Sequence, residues 1–183
     1  MAEVLVVFYS RSGTTASVAR RLAECLGADL DEITAIRPYV GVAGFLRCIF
    51  EATRGDRPDI ATGRNPSGYR MVVLGSPVWA GCLAAPMRSY LSVHRHHLPP
   101  AAAFCTSGSG VAEPVFRQIR QLLEGQPLRA TLSLSQDAVL SGAAFNDITL
   151  WARDLIAASP PDSAAAGAGE AGKSDSTARD AKG

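Results

Sequence analysis

Lysine is nearly missing from this chain: among 183 residues only Lys173 and Lys182 occur, both close to the C-terminal end, and every other basic residue is arginine. A triphosphate-binding loop of the form GxxxxGK needs a lysine followed by Ser or Thr, so that class is set aside. The dinucleotide fingerprint GxGxxG is absent after the first apolar run, and Gly108-Ser109-Gly110 alone is a weak signal. No aspartate ends that first run, as a receiver domain would need; Tyr9 and Ser10 stand there instead. The four cysteines, Cys25, Cys48, Cys82 and Cys105, are widely spaced with no CxxC, which suggests neither a disulfide framework nor a zinc site and leaves buried free thiols as the expectation. No apolar run approaches the roughly 18 residues of a membrane span, and the start MAEV lacks the basic residues of a signal peptide. No membrane span and a cytoplasmic location are expected.

Charge of either sign is also in short supply as a net quantity. Up to Ala158 fifteen arginines face thirteen acids, a near-neutral surface that gives no reason to expect nucleic acid or an anionic membrane as partner. Composition changes at Ser159, after which SPPDSAAAGAGEAGKSDSTARDAKG has no aliphatic or aromatic residue larger than alanine. The expectation is one domain over 1–158, helped by 47% hydrophobic content, followed by a disordered Ala/Gly/Ser-rich tail over 159–183.

Short apolar runs alternate with longer stretches of helical period, which predicts an α/β fold with a parallel sheet covered by helices on both faces. The strand-like runs are 4–9, 28–33, 71–75, 102–106 and 129–135. The first, third and fourth read as buried on both faces, the second alternates like an edge, and the fifth alternates more loosely. Val18, Leu22, Cys25 and Leu26 mark one helical stripe, closed by Gly27. A second follows Pro114 through Val115, Phe116, Ile119, Leu122 and Leu123; Pro86 opens another helix, and Phe145, Ile148, Trp151 and Leu155 mark the last. Between Arg37 and Ser67 the pattern predicts only a helix over 45–53 and then a long loop.

Ligands of such sheets bind beyond the carboxyl ends of the strands, so the segments after strands one, three and four matter most. The first is Ser10-Arg11-Ser12-Gly13-Thr14-Thr15, ahead of a helix whose N-terminus offers unpaired amides to an anion. Its four hydroxyls and Gly13 can hold a phosphate without a lysine; a helix cap at Ser12 or Thr15 would account for one hydroxyl, not four. The second is Ser76-Pro77-Val78-Trp79-Ala80-Gly81, which is expected to carry Trp79 in loop, against a flat partner or folded back on the core. The third, Thr106-Ser107-Gly108-Ser109-Gly110, can present backbone groups to the edge of a planar heterocycle, or is an ordinary turn. Together they describe a phosphorylated planar ligand. The cysteine phosphatase spacing also occurs, in Cys48 to Arg54 and Cys82 to Arg88, but without its context: the first lies in a helical stretch, and CLAAPMR has no glycine or hydroxyl before its arginine.

With these loops in place the sequence resembles the flavodoxin family, SRSGTT matching its phosphate loop, GSPVWAG its aromatic loop and TSGSG its third flavin-contacting loop. The resemblance covers nearly all of 3–158 and fits the short form of the family. It implies a flavodoxin-like three-layer sandwich with five parallel strands in order 2-1-3-4-5, and FMN as cofactor. Ser10, Ser12, Thr14 and Thr15 would surround the phosphate, Trp79 would stack on the isoalloxazine, Ala80 and Gly81 would bring backbone near its N5 edge, and Ser107 to Gly110 would face the pyrimidine end.

Two departures from an electron-carrier flavodoxin bear on activity. Val111, Ala112 and Glu113 follow Gly110 where many carriers place a second aromatic, which leaves one flavin face open. No acid occurs between Ser76 and Arg88, and only Glu113 between Thr106 and Pro114, whereas an acidic rim opposes the anionic reduced flavin in carriers. The expected function is an FMN-dependent oxidoreductase passing electrons from NAD(P)H to a quinone or similar small acceptor, with no catalytic side chain named. The alternatives are an electron-transfer flavodoxin serving a redox protein partner and a flavin-dependent enzyme acting on a larger substrate such as a porphyrinogen, with the 37–68 region forming part of the pocket. His94, His96 and His97 read as a solvated helix end rather than a metal site, Cys82 as a structural thiol, and the arginines of 37–70 as a solvated face rather than a site for the phosphates of NADPH. The sequence does not indicate an oligomeric state.

Overall fold

The structure, a computed structural model, describes residues 2–158. The tail expected over 159–183 lies outside the described residues. Strands β1 (Val4–Phe8), β2 (Asp29–Glu32), β5 (Met71–Trp79), β7 (Ala101–Ser107) and β8 (Leu128–Ser135) form one parallel sheet in the order β2-β1-β5-β7-β8. Numbering the five predicted runs in sequence, this is the order 2-1-3-4-5.

The alternation of side chains across the pleat builds the two cores. Leu5, Val7, Val72, Leu74, Ala103 and Cys105 point to one face, beneath α2 (Gly41–Arg54), α3 (Ala85–His94) and α4 (Glu113–Leu122). Val6, Phe8, Val73, Ala102 and Phe104 point to the other, beneath α1 (Thr14–Leu26) and α6 (Phe145–Ala157). Central strands buried on both faces explain the uninterrupted apolar runs, each large aliphatic side chain contributing about 1.5–3 kcal/mol by leaving water. Gly27 closes α1 in the left-handed region at φ 59°, and Pro86 and Pro114 sit in the first turns of α3 and α4.

Several expectations need correction. The third strand does not stop at Gly75; β5 runs on to Trp79, turns through Ala80 (φ 49°) and Gly81 (φ 75°), and returns as β6 (Cys82–Leu83), with Val78 opposite Leu83 and Trp79 opposite Cys82. Two residues with positive φ form the tight turn whose twist suits such a hairpin. The stretch after Arg37 holds a full helix, α2, rather than a short one, and the long loop predicted after it contains β4 (Ile60–Ala61) and a 3-10 turn at Pro66–Gly68. Strand β4 pairs antiparallel with β3 (Thr34–Ala35), and the buried Asp31 carboxylate ties the following turn down by accepting from Gly63 N–H at 2.9 Å and Arg64 N–H at 3.0 Å. Strands of two residues have no periodicity to read. A short helix, α5 (Gln136–Leu140), also went unforeseen; Ser135 caps it by accepting from Ala138 N–H at 3.2 Å. Cys48 and Cys105 are buried as expected, but Cys25 and Cys82 are partly exposed.

Candidate functional site

The carboxyl ends of β1, β5 and β7 lie side by side because their strands are neighbours in the sheet, with Phe8 opposite Gly75 and Pro77 opposite Thr106. A cavity of about 180 Å³ opens there. Ten predicted residues line it: Arg11, Ser12, Thr14 and Thr15 from the first loop, Pro77, Val78 and Trp79 from the second, and Thr106, Ser107 and Gly108 from the third.

In the first loop the hydroxyls divide their labour. Gly13, not a serine or threonine, is the cap residue of α1, at φ 93°, and no side chain caps the helix. The four hydroxyls are therefore not used up in capping. Ser10 Oγ accepts from Gly13 N–H at 3.1 Å and so shapes the turn; it borders a neighbouring depression rather than the cavity. Thr15 and Thr106 share a buried hydroxyl–hydroxyl hydrogen bond of 2.8 Å, which links the first and third loops directly. Ser12 and Thr14 line the cavity and form no side-chain hydrogen bond among the described residues. An uncapped helix N-terminus with two free hydroxyls suits an anion.

Trp79 sits at the end of β5, 8% exposed, and packs edge to face with Tyr9 at 5.5 Å and Tyr39 at 5.4 Å between ring centres. Burial pushes the Tyr9 phenol up to about 12, so it is neutral across the physiological range. The indole thus forms part of the core and of the cavity wall together. Ser76 is buried and donates to the Pro77 carbonyl at 2.9 Å, while Ala80 and Gly81 form the exposed hairpin turn; none of the three lines the cavity.

In the third loop Ser107 Oγ is buried and has no hydrogen-bond partner among the described residues. Since buried hydroxyls are normally hydrogen-bonded, Ser107, which lines the cavity, is placed to meet a polar group of a ligand. Ser109 and Gly110 lie outside the lining: Ser109 Oγ accepts from Val111 N–H at 3.4 Å, and the Gly110 carbonyl accepts from Ser133 Oγ.

Two lining residues were not foreseen, Phe45 and Gln136. Gln136 opens α5 just after the fifth strand, where the rule about carboxyl ends of strands had the power to find it. Phe45 arrives from α2, in the stretch whose tertiary position sequence patterning left open. It is 44% exposed and carries the Arg11 guanidinium 5.1 Å above its ring. Arg11 is also held by its donors to the Tyr39 carbonyl at 3.3 Å and the Gly41 carbonyl at 3.4 Å. Among the twelve lining residues Arg11 is the only charged one.

A sequence profile of the family described as Flavodoxin matches residues 3–138. The chain belongs to the flavodoxin family. No curated protein matches it significantly. Among solved structures, this flavodoxin-family chain resembles a flavoprotein of Lactobacillus acidophilus NCFM determined in complex with FMN, at 20% identity and a TM-score of 0.63, with 78% of this chain and 98% of that one covered. A flavoprotein of Bacteroides uniformis ATCC 8492 gives 19% identity and a TM-score of 0.66 over 83% and 98%. A flavodoxin of Streptococcus pneumoniae TIGR4 gives 12% and 0.56 over 84% and 97%. At these identities the likeness is one of fold.

Proposed function

We propose that this flavodoxin-family protein is an FMN-dependent oxidoreductase that takes electrons from NAD(P)H and passes them to a quinone or similar small acceptor. Its broader part, a flavodoxin-like protein with FMN as cofactor, follows from the family. The residues suit that cofactor: an uncapped helix N-terminus with Ser12 and Thr14 for the phosphate, Trp79 and Phe45 as aromatic walls, and the unpartnered Ser107 hydroxyl for a polar ring edge. When bound, FMN supplies a centre that accepts and releases two electrons.

The chain's own part is binding and electrostatics. The amides of the first turn of α1 hold the phosphate charge, the 2.8 Å Thr15–Thr106 bond fixes the distance between phosphate and ring loops, and Trp79, immobilised by Tyr9 and Tyr39, gives the ring a rigid wall. The observation that carries the reductase reading is the charge of the lining: Arg11 is present and no carboxylate is. A positive, acid-free wall favours the reduced, anionic cofactor and an electron-poor acceptor, where a carrier of very low potential needs the reverse. Phe45 lines the cavity while remaining 44% exposed, so it borders the cavity without closing it.

The test is anaerobic addition of NADPH, then NADH, to FMN-loaded protein while the visible flavin band is followed. Bleaching on mixing supports the reductase. A band that persists until a partner reductase is added selects the carrier, and a protein that fails to take up FMN sinks the cofactor assignment as well.

A further inference from the structure

Helix α2 is built inside out. Its fully buried positions are Gly44, Cys48 and Ala52, three small residues spaced by four, with Ile49 partly buried beside them. A Cβ on Gly44 would lie 2.4 Å from the Tyr39 carbonyl carbon, so the helix is pressed against the chain at that point. Three of its larger apolar side chains point outward instead: Val42 is 78% exposed, Leu46 61% and Phe50 56%, and Val40 just ahead of the helix is 77% exposed. A surface helix of a globular domain shows the opposite arrangement, and a contiguous exposed apolar face marks a contact surface.

Arginines border this face on both sides. Arg11 lies over Phe45, and Arg54 lies 5.0 Å above the Phe50 ring, with Asp56 3.7 Å away from it. Residues 36–57 carry Arg37, Arg47, Arg54 and Arg57 against Glu51 and Asp56. Glu51 accepts from the Tyr39 hydroxyl and pairs with Arg47 at 3.3 Å, so these two charges offset each other and leave Arg37, Arg54 and Arg57 against Asp56.

We infer that the outer face of α2 docks on an anionic lipid surface, with Val42, Leu46 and Phe50 entering the headgroup region and the flanking arginines meeting lipid phosphates. A basic helix with large apolar residues on its exposed side is the form that lies in a membrane interface. A second copy of the chain fits less well, because a two-fold pairing of this face sets arginine against arginine. Area points the same way. The 14 residues of α2 present a strip about 20 Å long and 10 Å wide, on the order of 200 Å², against the roughly 800 Å² per partner that a stable protein interface buries.

The same helix brings Phe45 to the cavity wall, so docking turns the cavity mouth toward acceptors dissolved in the lipid. That consequence rests on the reductase reading; the docking does not, and its test needs no turnover. The full chain is sedimented with phosphatidylcholine vesicles with and without phosphatidylglycerol, beside the variant Leu46→Glu/Phe50→Glu, whose changed residues lie outside the cavity lining. The expected result is binding about tenfold stronger to the anionic vesicles, weakened by added salt and reduced about tenfold in the variant. If near-ultraviolet circular dichroism shows the variant to be misfolded, Arg37→Gln/Arg54→Gln takes its place, with a similar loss expected on anionic vesicles. Absence of binding, equal binding to neutral vesicles, equal binding by wild type and variant, or a solution dimer that the variant abolishes overturns the inference. Flavin bleaching by NAD(P)H, measured without vesicles, reports separately on the reductase reading.

Discussion

Ser107 is a single residue whose two possible roles pull a mutant in opposite directions. Its hydroxyl is buried and has no protein partner among the described residues, so Ser107→Ala should leave the ligand-free protein as stable or up to about 1 kcal/mol more stable in urea titration. If the hydroxyl meets the cofactor, the same change weakens FMN binding by about tenfold, read by fluorescence quenching. A residue serving only the fold would show neither effect. Gly75 makes the complementary case: a Cβ there would lie 2.3 Å from the Phe104 ring and 2.8 Å from Phe8 Cβ. Gly75→Ala should therefore cost at least about 1–3 kcal/mol by overpacking, measured by the urea midpoint. Gly75 could not be assigned this property from its sequence neighbours, because Phe104 reaches it from the adjacent strand of the sheet.

At the scale of elements, α3 carries a pH dependence. His94, in its last turn, packs on the buried Tyr90 ring at 4.5 Å, and burial lowers its pKa, against the raising effect of Asp31 and with a further lowering by His97. The folded state thus binds its proton less readily than the unfolded state does. Stability contributed by neutral His94 is complete above the unfolded pKa of about 6.5 and is lost as pH falls below it toward the lowered folded value. Urea titrations at pH 5.5 and 7.5 should show a smaller pH difference for His94→Gln than for wild type; an unchanged difference would refute the assignment. The elements also show where sequence reading stopped. Helices α1, α4 and α6 were visible because their apolar stripes face the core. Helix α2 was half visible, since its small buried positions and large exposed ones reverse the usual pattern, and β3 and β4 were too short to carry any.

For the whole molecule, residues 159–183 are proposed to be dispensable. A chain ending at Ala158 should take up FMN and unfold within about 2 °C of the full chain in a thermal melt. A larger loss would extend the domain beyond its proposed boundary. Electrostatics makes sense only at this scale: the near-neutral total and the absence of any helix, among the described residues, long and apolar enough to cross a membrane say nothing of how arginines gather around α2. The sequence by itself determined the strand order through its family resemblance, the three central buried runs through continuous hydrophobicity, and the hydroxyl-rich first loop through its place before a helix. Those are local properties, readable along the chain. Tertiary structure alone decided that Thr15 bonds Thr106, that Trp79 ends a strand locked by Tyr9 and Tyr39, and that Phe45 and Gln136 reach the cavity. These contacts join residues far apart in sequence, so their existence depends on the packing of helices against the sheet.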